Sequence, residues 1–220
     1  EWKLIGECVF ERVNDFDGIV ITHGTDTMAY TASALSFMLS NLNIPVVLTG
    51  SQLPLSHPLS DGQENMRLAL AMAASAHPGV FVAFNRKIIL GARAVKVRTT
   101  GFHAFESVNY PYIATVNSLG LQIHEELLPS LHGPCRLIDT LCEDVFLLKL
   151  IPGMNPMIFD MLMHMDIKGV VIEAFGIGGL SYIRRDLTGR IVDLLDHGIS
   201  VVVCSQCLYE RSDFSVYEVG

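Results

Sequence analysis

The chain has 220 residues, 50% of them hydrophobic and 17% charged, a composition that belongs to a well-packed globular protein and excludes a disordered or low-complexity one. Fifteen basic residues against twenty-three acidic ones leave a formal net charge of −8, opposite to the footprint of a protein that binds nucleic acid or an anionic membrane. Five cysteines, an odd number in a chain too long to need disulfide staples, fit free thiols in a reducing compartment, so a cytoplasmic location is expected.

The chain opens on an amphipathic helical pattern, Trp2 to Val13, with Trp2, Ile5, Val9 and Val13 on one face. Short apolar runs then recur at 18–22, 45–49, 80–84, 145–150, 169–173 and 200–204. Continuous Val/Ile/Leu runs of this length predict strands buried on both faces of a parallel sheet. Between them, Thr27 to Leu42, Ser60 to Ala76, Asn155 to Met165 and Arg184 to Asp196 read as helices. Ser60 with Gln63 three residues on predicts a capping box, and Asp61 and Glu64 place negative charge at the positive end of that helix. The stretches 27–60 and 68–85 carry no charge, but Asn41, Asn43, Pro45 and the His77-Pro78-Gly79 turn cut them below the ~20 apolar residues of a membrane span.

Residues 85–118 break the alternation with short strand patterns at 87–90, 94–97 and 112–116, which predict a β-hairpin appendage. The expected fold is α/β, a doubly wound mainly parallel sheet with that hairpin, followed by a second, smaller α/β domain. The expected boundaries are 1–118 for the first domain, 119–142 for a linker with Pro129, Gly133 and Pro134, and 143–220 for the second. The helix from Thr27, apolar or small-polar all round, predicts burial partly against another subunit in a dimer or tetramer.

Ligands of open α/β sheets bind past the carboxyl ends of strands. His23-Gly24-Thr25-Asp26-Thr27 follows the run 18–22 directly. Gly24 permits a tight turn, and Thr25 and Asp26 fall at a helix N-terminus whose unpaired amides favour negative charge; the same three polar residues also suit plain helix caps. Thr49-Gly50-Ser51-Gln52 ends the next strand, either as a turn or as donors for a small polar substrate. Lys96 is a lone amine among apolar neighbours: on a buried face its charge is disfavoured and it becomes a base for a hydroxyl group, whereas on an open strand face it is simply solvated. Cys204 and Cys207 have the spacing of a redox or metal pair without a second pair, and Gly176-Ile177-Gly178-Gly179 lacks the spacing of a phosphate loop. The eight histidines show no metal-ligand grouping.

The segment Asp17 to Met28 (DGIVITHGTDTM) is very similar to the second signature of the bacterial-type L-asparaginases. Further stretches resemble that family in order: 45–52 (PVVLTGSQ), 60–63 (SDGQ), Lys96 ahead of 101–105 (GFHAF), and 205–207 (SQC). The uninterrupted segment 28–39 resembles the cytoplasmic type I branch. The resemblance implies hydrolysis of L-asparagine to L-aspartate and ammonia by a threonine-dependent mechanism, with neither metal nor organic cofactor. It also implies roles: Thr25 as the hydroxyl of a Thr-Lys-Asp group, Lys96 as the amine bonded to it, and Asp26 as the carboxylate for the substrate ammonium. Ser51 would hold the side-chain amide, and Gly24 backbone groups would help seat the substrate.

Two departures from the family pattern carry expectations of their own. The family's opening glycine-rich loop bears another threonine, held to be the attacking nucleophile, and a serine for the substrate carboxylate follows it. Neither stretch is in this sequence, so these 220 residues alone are expected to be catalytically incomplete. Type II relatives supply an asparagine from a neighbouring subunit where this chain has Gly179. Two other readings stay open: the asparaginase-like subunit of a tRNA-dependent amidotransferase, marked by an additional domain and a requirement for tRNA, and an inactive asparagine-binding module.

Overall fold

The computed structural model describes residues 1–180 and 186–213, which fall into two compact units, Glu1–Thr140 and a second beginning at Leu141. The first unit starts with helix α1 (Trp2–Phe10), strand β1 (Ile19–Thr22), helix α2 (Met28–Met38) and strand β2 (Leu39–Ser40). Strand β3 (Pro45–Thr49), helix α3 (Gly62–Ala73) and strands β4 (Gly79–Phe84) and β5 (Lys87–Leu90) follow. The remaining strands of this unit are short: β6 (Ala94–Lys96), β7 (Phe105–Ser107), β8 (Ala114–Asn117), β9 (Gly120–Ile123) and β10 (Arg136–Leu137).

Six strands form one sheet in the order β1-β3-β4-β5-β8-β9. β1, β3 and β4 run parallel, and the last three are added antiparallel. Every residue of β3 and β4 is buried, as a strand covered on both faces must be. Their side chains alternate between two cores. Val46, Leu48, Val80, Val82 and Phe84 pack with Val9, Met28, Ala32 and Leu35 of α1 and α2. Val47, Phe81 and Ala83 pack with Leu68, Ala69 and Met72 of α3 on the other face. Helices on both faces make this unit a doubly wound α/β fold, and each large apolar side chain buried there contributes about 1.5–3 kcal/mol.

Several elements differ in extent from the sequence expectation, each for a local reason. α2 stops at Met38, four residues before Leu42, because Leu39 and Ser40 pair with β10 and Asn41 turns left-handed at φ 53°. The capping box at Ser60 does not form. Asp61 occupies the N-cap of α3 without bonding a helix amide, its carboxylate being taken by the backbone amides of Gln52 and Leu53. The antiparallel residues after β4 divide between the expected appendage and the main sheet. β5, β8 and β9 continue it, while β6 and β7 form their own two-stranded ribbon, with Lys96 paired to Phe105. The stretch 119–142, read from sequence as a linker, carries β9 and β10.

The second unit is a three-stranded parallel sheet, β11 (Val145–Lys149), β12 (Gly169–Ala174) and β13 (Ser200–Ser205), in that order. Helices α4 (Met157–Met163) and α5 (Leu187–Asp196) close its core through Phe159, Leu162, Leu187 and Leu194. Asp186 caps α5 by accepting the Gly189 amide at 2.7 Å; residues 184 and 185, expected to open this helix, lie outside the described residues. The chain therefore has a mainly parallel α/β sheet and a second, small parallel α/β domain. Among the described residues no helix is long and apolar enough to cross a membrane.

Candidate active site

The parallel register of β1 and β3 sets Thr22 beside Thr49, so both strands end at one level. The chains stay close beyond that point: the His23 amide donates to the Thr49 carbonyl at 2.8 Å. A Cβ on Gly50 would stand 2.2 Å from the His23 carbonyl oxygen, so only glycine fits there. The loops from the two strand ends are thereby held against each other, with residues 24–26 on one and 51–52 on the other.

Onto this pair of loops the β6–β7 ribbon delivers Lys96. Its Nζ donates to Thr25 Oγ1 at 2.9 Å and to Asp26 Oδ1 at 2.6 Å, across 71 and 70 residues of sequence. The Thr25 hydroxyl donates in turn to Gln52 Oε1 at 3.1 Å. Lys96 is largely buried rather than solvated on an open strand face. Its side chain is 17% exposed and its tip sits in an ion pair with Asp26, whose side chain is 92% exposed. The Lys96 hydrogen bond, and then its charge, hold the Asp26 carboxyl below the ordinary carboxylate range against a small opposing effect of burial. Asp26 Oδ2 has no hydrogen bond among the described residues and faces outward.

The capping alternative for 25–27 fails on geometry. Thr27 holds the N-cap position of α2 without a side-chain bond to the helix, and the Thr25 and Asp26 side chains are turned to Lys96. Gly24 is not needed by the fold in the way Gly50 is. Its φ is not left-handed, and a Cβ there would meet no protein atom within 4 Å. Ser51 follows Gly50 directly and is half-buried.

Sequence reasoning missed the groups that hold these loops. Gln52 extends from Thr25 to the 99–101 turn, its Nε2 donating to the carbonyls of Thr99 and Gly101, each at 3.2 Å. Asp61 accepts the Gln52 amide on both oxygens, and Asn65, only 2% exposed, donates to Asp61 and to the Gly50 carbonyl, each at 3.0 Å. The visible signal was Asp61 and Asn65 at i, i+4 on a helix face that is otherwise apolar. His23, passed over as an ordinary histidine, belongs to a second tether. Trp2 Nε1 donates to Thr31 Oγ1 (3.0 Å), Thr31 bonds His23 Nε2 (2.9 Å), and His23 Nδ1 meets the Gly24 carbonyl (2.7 Å). A carbonyl only accepts, so Nδ1 carries the proton and Nε2 takes that of Thr31.

The other candidates belong to the second unit. Cys204 and Cys207 are both free thiols, Cys204 pushed up in pKa mainly by burial, and no group of three metal-ligating side chains occurs among the described residues. The glycines at 176–179 form a tight turn in which Phe175 and Gly179 bond each other's backbone.

A hydroxyl, an amine and a carboxylate gathered past the carboxyl ends of parallel strands define a doubly wound α/β protein with a strand-end site. Residues 1–129 match the family model described as Asparaginase, N-terminal, and residues 144–220 match the Glutaminase/Asparaginase C-terminal domain. The chain belongs to the asparaginase family. It is 43% identical to an L-asparaginase of Thermococcus kodakarensis over all of its own length and 66% of that protein's. To L-asparaginase 1 of Escherichia coli K12 it is 36% identical, again over its whole length, covering 65% of that protein. The solved thermostable L-asparaginase from Thermococcus kodakarensis superposes with a TM-score of 0.93 at 42% identity, over 99% of this chain and 66% of that one. The chain thus spans just under two thirds of the length of these relatives.

Proposed function

We propose that the protein hydrolyses the side-chain amide of L-asparagine to L-aspartate and ammonia in a threonine-dependent reaction, in the cytoplasm and as a homo-oligomer. The observation that carries this reading is the triangle of Thr25, Lys96 and Asp26, with Nζ 2.9 Å from the hydroxyl and 2.6 Å from the carboxylate. As water adds to the amide carbon, its proton passes through the Thr25 hydroxyl to Lys96 in its neutral form, which returns it to the departing nitrogen as the C–N bond breaks and ammonia leaves; general acid–base help of this kind is worth about 10²–10⁴ in rate. Asp26 keeps Lys96 in place with Oδ1 and offers Oδ2 to the substrate ammonium. Ser51 lies where the two strand-end loops meet, suited to hold the side-chain amide, and the open space beside Gly24 admits the substrate close to backbone. No step in this scheme draws on a metal or an organic cofactor.

Self-association is supported by α2. Its buried face is Met28, Thr31, Ala32, Leu35 and Met38, while Tyr30 and Phe37, seven residues apart, are 65% and 72% exposed on an uncharged helix. A stripe of this kind suits a second copy of the chain. A monodisperse monomer of the full-length protein at micromolar concentration would contradict it.

The test of the reaction is ammonia release from L-asparagine by the full-length protein and by its Thr25→Val and Lys96→Met variants. Both substitutions should lower turnover about 100-fold or more. Wild-type kinetics in Lys96→Met would overturn the assignment, and release that requires tRNA would transfer it to the amidotransferase reading.

A further inference from the structure

We infer that Gln52 is a positioning residue that fixes the direction of the Thr25 proton and ties Thr25 to the 99–101 turn. The inference rests on the asparaginase reading above and concerns a side chain to which that reading gives no role.

The hydrogen-bond roles at Gln52 follow from donor and acceptor chemistry alone. Its Nε2 lies 3.2 Å from the carbonyls of both Thr99 and Gly101. Two carbonyls can only accept, so the amide nitrogen with its two hydrogens must face them. The amide oxygen therefore points to Thr25, and since that oxygen only accepts, the Thr25 hydroxyl at 3.1 Å is the donor. The lone pairs of Thr25 Oγ1 are left for Lys96 Nζ. In this resting arrangement the Thr25 proton is aimed away from Lys96, while the lysine spends two of its three hydrogens on Thr25 and Asp26.

The rigidity of Gln52 comes from its other side. Its backbone amide donates to both oxygens of Asp61 at 3.0 and 3.1 Å. Asp61 is held by Asn65 Nδ2, and Asn65 is itself pinned by the Gly50 carbonyl and the Asn85 amide. A positioning group needs a supporting shell of this kind, since a small misplacement of a reacting atom costs rate steeply. The consequence is directional. Only when Lys96 is neutral does turning the Thr25 O–H from Gln52 to Nζ become favourable, so Gln52 keeps the hydroxyl oriented until a base is present to receive its proton.

Gln52→Met keeps the length and removes all three side-chain hydrogen bonds, and Gln52→Glu keeps the acceptor and adds a charge two hydrogen bonds from Lys96. In the full-length protein Gln52→Met should lower kcat for asparagine by about tenfold or more with KM changed less than about threefold, the split expected when an interaction acts only at the chemical step. Gln52→Glu should move the pH at which turnover rises upward by about one unit, because a nearby carboxylate keeps the proton on Lys96. NMR titration of Lys96 Nζ in Gln52→Glu and wild type needs no turnover and separates this inference from the reaction assigned above. A higher midpoint in the variant with no asparagine turnover by wild type would support the Gln52 geometry and overturn the asparaginase reading. An active wild type with kcat unchanged within twofold in Gln52→Met, or an unmoved Lys96 midpoint in Gln52→Glu, would overturn the inference itself.

Discussion

Asn65 is the buried polar residue on which the strand-end loops hang, and replacing it by leucine is the sharpest test of that arrangement. Leucine fits the volume and strips three hydrogen bonds: to the Gly50 carbonyl at 3.0 Å, to Asp61 at 3.0 Å, and from the Asn85 amide at 2.9 Å. Asp61 keeps the amides of Gln52 and Leu53, but the Gly50 carbonyl and the Asn85 amide lose the partner that Asn65 gave them. A buried backbone group without a partner costs about 1–3 kcal/mol, so two of them put the loss at about 2–6 kcal/mol. For a chain of this size about 1 kcal/mol lowers Tm by about 2–4 °C, and the expected drop is therefore about 8–16 °C near the middle of that range. Calorimetry of wild type and Asn65→Leu measures it, and a fall of less than about 3 °C would refute the reasoning. Asn65→Asp adds a pH dependence with a defined sign. It sets a second carboxylate against Asp61, and like charges at that distance raise the pKa of the pair in the folded state above its unfolded value. The penalty is absent below the unfolded pKa and grows as pH rises toward the folded one. The Tm gap to wild type should thus widen as pH rises above about 4, the unfolded carboxylate pKa; a constant gap would count against it.

Two further perturbations address the site directly. Lys96→Met removes the hydrogen bond and the charge that depress Asp26, so the Asp26 carboxyl should titrate at higher pH, back in the ordinary carboxylate range; an unchanged NMR titration curve would mean that the ion pair does not form in solution. Gly24→Ala and Gly50→Ala should behave oppositely: the first leaves the urea midpoint nearly unchanged while raising KM for asparagine, and the second, facing the His23 carbonyl at 2.2 Å, lowers the midpoint. Equal stability of the two variants would contradict the close approach at Gly50.

What the sequence made legible, and what it hid, divides along the range of the forces involved. Pro45 to Thr49 could be read to the residue, because a strand apolar on both faces announces its burial locally. The end of α2 could not, since Leu39 and Ser40 leave the helix to pair with residues almost a hundred positions later. Ser60 and Gln63 carried a sound local signal that lost to the preceding loop: the Ser60 hydroxyl donates to the Leu53 carbonyl and accepts the Gly62 amide, and Asp61 takes the N-cap position. At the site, the position of Thr25 and Asp26 past a buried strand was visible, as was the oddity of Lys96 among apolar neighbours. Their meeting was implied only by the family resemblance and not by the residues alone, because it depends on where the β6–β7 ribbon sets residue 96. Gln52 and Asn65 left still less trace: hydrogen bonds between loops have no periodicity, and an amide on a helix looks solvated until its neighbours are known.

The tether through His23 has an optical consequence. Trp2 is the only tryptophan among 220 residues, and its indole N–H is the first link in the relay that ends on the Gly24 carbonyl. The emission of an indole depends on what its N–H is bonded to, and here that partner is a hydroxyl committed to the His23 ring. Any event that turns the ring or shifts residue 24 redistributes the bonds at Thr31 and alters the environment of the lone tryptophan. The molecule thus carries a native reporter at the far end of the relay, with no label to disturb the loop whose state it records.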